Sequence, residues 1–168
     1  MTDAPHGLIV SVNLSETKGV SKHPVAVAEF QIDRGVVGDA HAGPGDRQVS
    51  LLAEEAIERM RHVFSERLEA GKSGCPADGV VLAPGAFAEN VTTRGLDLPR
   101  LPIGTRLTLG PEVVLEVTRI GKDCHSHCEI FRKLGSCVMP KEGVFAKVVH
   151  GGRAKPGDSV IVERRENR

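Results

Sequence analysis

At 168 residues, with 40% hydrophobic and 26% charged side chains, the chain suits one domain with a sizeable core and is short for two. Its longest apolar runs are about five residues, against the roughly 20 that a membrane-spanning helix needs, so no membrane association is expected. Twenty-two basic residues balance 22 acidic ones, and there is no Trp, no Tyr and only five Phe. Excess positive charge and base-stacking aromatics are both missing, which excludes a nucleic-acid partner of the usual kinds. Nineteen Gly and ten Pro favour many tight turns, as in a β-rich domain.

In chain order, Gly7 to Val12 reads as a short buried strand. From Val25 to Asp33 the pattern alternates, with Ala26, Ala28, Phe30 and Ile32 on one face and Glu29, Gln31 and Asp33 on the other. Glycines and Pro44 then give a loop from about 35 to 47 that carries Asp39, His41, Asp46 and Arg47. A long amphipathic helix is expected over about 51–70. Leu52, Ala56, Met60, Val63, Phe64 and Leu68 make its stripe, Ser50 its N-cap, and Glu55–Arg59 an i,i+4 pair.

Short strands follow the loop Gly71–Gly79. They are expected at Val80–Ala83, Glu89–Thr93, Arg106–Leu109, Val113–Ile120, Phe145–Val149 and Ser159–Glu163, each bounded by Gly/Pro or turn signals. Gly157-Asp158 reads as a hairpin turn. With no repeat and no linker-like seam, residues 1–168 form a single domain of mainly β class, a barrel or sandwich.

Residues 1–12 lack a basic start, a long apolar stretch and a small-residue cleavage site, so a reducing, cytoplasmic setting is expected. Its four cysteines are then expected as thiols rather than disulfides. Cys75 stands alone in a Gly/Pro-rich loop and reads as a small hydrophobe. Cys124, Cys128 and Cys137 fall within 14 residues, with His125 and His127 interleaved, just after a strand.

Three readings of this cluster stay open. Lys122 and the two histidines would lower the pKa of Cys124, making it a nucleophilic or sulfur-carrying thiol that Cys128 or Cys137 resolves. Alternatively, the three cysteines with His125 and His127 would ligate Zn²⁺ or an iron–sulfur cluster, although C-x3-C is not the usual C-x2-C knuckle. Or the cysteines are buried hydrophobes and the histidines satisfy carbonyls. A second polar set lies on glycine-rich loops: Asp39, His41 and Arg47; Glu89 and Asn90; Arg153 and Lys155. Arginine matches phosphate oxyanions, and glycines let backbone approach a ligand.

Seven blocks carry a family resemblance: Lys22-His23-Pro24-Val25, Gly38-Asp39-Ala40-His41, Arg47 to Leu52, Pro84-Gly85-Ala86-Phe87-Ala88-Glu89-Asn90, Leu101-Pro102-Ile103-Gly104, Val117 to Cys124, and Glu142 to Ala146 with Gly157-Asp158. In this order they resemble the MOSC domain, found at the C-terminus of molybdenum cofactor sulfurases and as stand-alone bacterial proteins. The likeness spans about residues 7–163. It implies a closed β-barrel with one long helix and short additional helices.

The resemblance also implies a role in sulfur transfer or in handling molybdenum cofactor (molybdopterin). Cys124 falls on the family's functional cysteine, and Arg47 and Asn90 on its polar loop positions. The expected module accepts persulfide sulfur at Cys124 from a pyridoxal-phosphate-dependent cysteine desulfurase, the pyridoxal phosphate staying on that partner. It would pass the sulfur to a molybdenum cofactor or molybdoenzyme acceptor, or bind the cofactor through the Cys124 thiolate. Cys128 and Cys137 would resolve or co-ligate, Arg47, Arg153 and Lys155 would neutralise a pterin phosphate, and His41 and Asn90 would add polar contacts. Its activity would be of the sulfurtransferase or molybdoenzyme type. Alternatives are a non-catalytic Zn, Fe–S or cofactor-binding protein and a molybdenum-dependent N-hydroxy reductase. In each case the thiol is expected at the mouth of the barrel, near Arg47 and Asn90.

Overall fold

The computed structural model describes residues 4–69, 82–123 and 137–163. Eleven strands are present: β1 (His6–Leu14), β2 (His23–Val25), β3 (Ala28–Gln31), β4 (Gly35–Val36), β5 (Val49–Ala53), β6 (Val91–Arg94), β7 (Arg106–Leu109), β8 (Val113–Ile120), β9 (Val144–His150), β10 (Gly152–Ala154) and β11 (Ser159–Glu163). With them come the helix α1 (Glu54–Glu69), a 3-10 turn at Leu98–Arg100, and the single-turn helix α2 (Met139–Glu142).

Seven strands close into a barrel in the order β1-β6-β5-β9-β8-β7-β11, with β11 pairing back onto β1. Closure leaves these strands no free edge between them. Each junction is antiparallel except β5–β6, which is parallel. A parallel pair needs a crossover, and α1 supplies it. β2 extends the sheet from the far end of β1, and β10-β3-β4 form a separate small sheet.

Strict alternation builds the barrel interior. Leu107 and Leu109 of β7, and Val113, Leu115 and Val117 of β8, are fully buried, whereas Arg106 and Thr108 are not. Val49, Leu51, Val91, Val144 and Ala146 join the same cluster. A second cluster lies on the other face of β5 and β9, where Leu52 and Phe145 meet Ala56, Ile57, Phe64, Phe87 and Met139. The helix α1 therefore packs on the outer wall of the barrel.

Strands β7, β8 and β11 occupy the expected residues, and β1, β6 and β9 differ from expectation by one or two residues at their ends. The helix expected from Leu51 begins instead at Glu54, because residues 49–53 form a central strand buried on both faces. Continuous burial removes the alternation that identifies a strand. Ser50 is consequently a strand residue and not an N-cap. The pair Glu55–Arg59 does not form either: Glu55 Oε1 accepts the Gly95 N–H at 2.7 Å, and Arg59 turns to Glu142. Glu54 is engaged by Arg94. In the alternating segment Ala28 and Phe30 are buried, while Ala26 and Ile32 lie exposed beyond the ends of β3. Leu82 and Ala83 are not in a strand.

Candidate functional site

A cavity of about 140 Å³ opens beside β5 and β9, lined by Gly19, His41, Arg47, Ser50, Phe87, Ala88, Asn90, Lys122, Met139 and Phe145. Its floor is the cross-strand pair Ser50–Phe145. Both residues alternate with the barrel-interior positions Val49, Leu51, Val144 and Ala146. The cavity thus sits on the outer wall, on the same side as α1. The expected barrel mouth is not where these residues meet.

Arg47 reaches the cavity because its loop is pinned on both sides. Gln48, 2% exposed, donates to Gly45 O at 3.0 Å and accepts the Val148 N–H at 3.0 Å. Thr118 sits where the β8–β9 register shifts between Val117 and Arg119, and its hydroxyl bonds Asp46 O and Phe145 O. A bulge of this kind re-aims residues beside a site.

Asn90 lines the wall as expected, but its polar atoms serve the scaffold. Its Oδ1 accepts from Ser50 N at 3.0 Å and Ser50 Oγ at 3.1 Å, and Nδ2 donates to Asn13 O at 3.2 Å. Asn13, fully buried, continues the chain to Ser11, Thr92 and Glu89 O. Satisfied buried networks of this type hold one geometry.

Beneath His41 lies a buried ion pair that sequence reasoning missed. Lys22 Nζ stands 2.6 Å from Asp39 Oδ1, with side-chain exposures of 1% and 0%. Asp39 Oδ1 also accepts the Ser15 N–H at 3.0 Å, and Oδ2 the His41 N–H at 3.2 Å. Burial alone would raise the Asp39 pKa; the Lys22 and Ser15 hydrogen bonds, with the Lys22 charge and Asn90, carry it below the usual carboxylate value. Lys22 Nζ is also 3.0 Å from His41 Nδ1. The His41 pKa is lowered, first by burial and then by the Lys22 charge.

Glu89 is the second buried acid. Its carboxyl accepts the Gly85 N–H at 2.5 Å beneath the turn Pro84–Phe87, and burial pushes its pKa up to about 8 despite the N–H groups of Gly85, Phe87 and Glu89. The turn it props forms the Phe87–Ala88 wall of the cavity, where Ala88 adopts φ 64° and its carbonyl lies 3.2 Å from Ser50 Oγ.

Gly85 (φ 90°) lies so close to Lys22 that an added Cβ would stand 2.2 Å from Lys22 O. Gly85→Ala is therefore expected to cost about 2–4 kcal/mol, from overpacking against backbone and a left-handed conformation. Urea unfolding checks this, and a loss below about 1 kcal/mol would contradict the close approach.

The remaining expected residues divide clearly. Lys122 lines the cavity. Cys124, His125, His127 and Cys128, like Cys75, lie outside the described residues. Cys137 is half-buried against the α1–α2 apolar cluster. Arg153 and Lys155 do not join the cavity. Arg153 sits on β10 opposite Glu29 of β3, and the Lys155 ammonium is 2.7 Å from Asp158 in the turn before β11. That turn includes Gly157-Asp158, but it joins β10 of the small sheet to β11 of the barrel and so is not the hairpin turn expected. Among the described residues, no three His, Cys, Asp or Glu side chains gather as metal ligands.

A family model for the MOSC domain matches residues 38–161. The chain belongs to the MOSC domain family. This MOSC domain shares its fold with the YuaD protein from Bacillus subtilis (TM-score 0.73, 19% identity, 99% of this chain and 100% of that one). It is also similar to YiiM from Geobacillus stearothermophilus (TM-score 0.64, 21% identity, 95% and 76%) and to YiiM from Escherichia coli (TM-score 0.65, 16% identity, 100% and 73%). No curated protein matches it. The family match begins at Gly38, so β1 and Lys22 precede it, although β1 closes the barrel and Lys22 completes the buried pair. No helix among the described residues is long and apolar enough to cross a membrane.

Proposed function

We propose that this MOSC domain is a sulfur carrier, with Cys124 accepting the outer sulfur of a persulfide on a cysteine desulfurase and releasing it to a molybdenum cofactor or molybdoenzyme acceptor. The observation that carries this reading is the cation-lined cavity at the root of the cysteine segment. Lys122 and Met139 both line the cavity, and the chain enters and leaves residues 124–136 between them. That root is closed by backbone bonds from Gly121 N to Gly143 O at 2.6 Å and from Lys122 N to Pro140 O at 3.2 Å. Cys124 follows Lys122 by two residues.

In the transfer, the Cys124 thiolate attacks the terminal sulfur of the donor R–S–SH. A new S–S bond forms, the donor S–S bond breaks, and the donor leaves as R–S⁻. An anionic sulfur brought into the cavity would be stabilised by Arg47 and Lys122, with the apolar wall of Phe87, Met139 and Phe145 keeping the dielectric low.

The donor set also fits the anionic end of a molybdopterin. Arg47 offers a planar fork to a phosphate and Lys122 a point charge. At about 140 Å³ the cavity takes such a group, but lies below the roughly 300 Å³ of a pocket for a whole drug-sized ligand. When bound, the cofactor would supply a molybdenum centre for a soft thiolate.

Intact mass after incubation with a desulfurase and cysteine tests the reading. A gain of about 32 Da, one sulfur atom, is expected, and it should vanish in Cys124→Ala yet persist in Cys137→Ala. No gain, or a gain indifferent to Cys124, would overturn it.

A further inference from the structure

From the contact between Lys22 Nζ and His41 Nδ1, we infer that the buried Lys22–Asp39 pair fixes His41 as the neutral tautomer protonated on Nε2, a hydrogen-bond donor for a sulfane-sulfur anion in the cavity. Lys22 is thereby a positioning residue acting through His41, and the ligand class is an anion bearing terminal sulfur. The identity of that anion rests on the sulfur-carrier reading; the tautomer does not.

Asp39 is an ionised carboxylate with no exposed side-chain surface, so its counter-charge must reside on Lys22, 2.6 Å away. An ammonium carries three donors and no acceptor. Its contact with His41 Nδ1, at 3.0 Å, therefore requires Nδ1 to accept. A neutral imidazole accepting at one nitrogen carries its proton on the other.

The backbone holds the ring in this register. The His41 N–H donates to Asp39 Oδ2, Ala40 N to Ser15 O at 2.7 Å, and Ala42 N to Asp39 O at 3.1 Å. Among the described residues no group takes Nε2, and the side chain, 42% exposed, lines the cavity.

The surrounding charges oppose a second proton on the ring. Lys22, Lys18 and Lys122 all disfavour imidazolium, and Asp39 alone favours it. Burial acts with the lysines. The cavity therefore holds fixed cations in Arg47 and Lys122 and a directional neutral donor in His41. A donor aimed at a sulfur anion needs no reorganisation when the charge arrives.

Nitrogen-15 spectra of the full chain between pH 6 and 8 test the tautomer directly. A protonated Nε2 and a bare Nδ1 on His41 are expected, and thiosulfate, as the sulfane-sulfur probe, should shift the Nε2 signal. His41→Gln, whose amide nitrogen overlays Nε2, should keep thiosulfate affinity within about threefold, whereas His41→Asn should lose about tenfold, or roughly 1.4 kcal/mol.

A proton on Nδ1, imidazolium at pH 7, an Nε2 signal indifferent to saturating thiosulfate, or equal losses in the two variants would each overturn the inference. The sulfur-carrier reading fails separately, through the mass experiment on Cys124. A correct tautomer and thiosulfate response with no sulfur gained on Cys124 would leave His41 as an anion donor in a protein that carries no persulfide.

Discussion

Lys22→Met is expected to destabilise the protein by about 3–5 kcal/mol at pH 7, the usual penalty for leaving one member of a buried ion pair without its partner. The apolar stem of the lysine is retained in methionine, so packing changes little and the loss is electrostatic. Asp39 would keep its hydrogen bonds from Ser15 and His41 but lose the only ammonium in contact with it among the described residues. Pairing Lys22→Met with Asp39→Asn should recover part of the loss, since the amide needs no counter-charge and its oxygen still accepts the Ser15 N–H.

The pH dependence separates this account from simple loss of packing. In the wild type the Asp39 pKa is held below its unfolded value of 3.8, so its contribution is full above that value and fades as pH falls below it. In Lys22→Met, burial, the largest single influence on Asp39, is opposed only by the remaining hydrogen bonds and should raise the same pKa, so the variant loses stability as pH rises through 3.8 and beyond. The two unfolding free energies should therefore converge towards pH 4 and diverge towards pH 7, as read by urea titration. A gap that stays constant with pH would show that Lys22 stabilises by volume alone, and would remove the electrostatic basis for the His41 tautomer.

What the sequence revealed and what it hid follow from the range of the interactions involved. Strands β7, β8 and β11 are legible to the residue because one face is buried and turns bound them, as Gly110-Pro111 does between β7 and β8. The strand β5 is not, since Val49 to Ala53 is buried throughout and its apolar residues merge with the stripe of α1. His41, Arg47 and Asn90 are legible as polar residues on glycine-rich loops, and they do share one cavity. Lys155 belongs to the same pattern, but a local partner three residues away engages its charge. Lys22 offers no local signal, because its burial depends on Asp39, which is 17 residues distant and reached only through the fold. Glu89 is visible as a loop carboxylate, yet its complete burial comes from the turn that folds over it.

That burial makes Glu89→Gln the second large effect. With a native pKa near 8 against 4.5 for the free side chain, the folded protein binds a proton at Glu89 that the unfolded chain releases throughout this window. Stability from this group is therefore highest below pH 4.5 and falls by about 1.4 kcal/mol per pH unit as pH rises towards 8, then levels off. Glutamine preserves the shape and the acceptor for the Gly85 N–H but has no proton to release. Relative to wild type, Glu89→Gln should be nearly neutral at pH 5 and more stable by about 3–4 kcal/mol at pH 8. The ring of N–H groups from Gly85, Phe87 and Glu89 argues the other way, because it favours a carboxylate. Burial wins only if those donors do not replace the lost water, and Glu89 Oε2, buried with no hydrogen-bond partner among the described residues, marks where they do not. Parallel stability curves for wild type and Glu89→Gln between pH 5 and 8 would mean that the N–H ring suffices and that Glu89 is ionised in the fold. A widening gap would identify the acid that props the cavity wall as a protonated one.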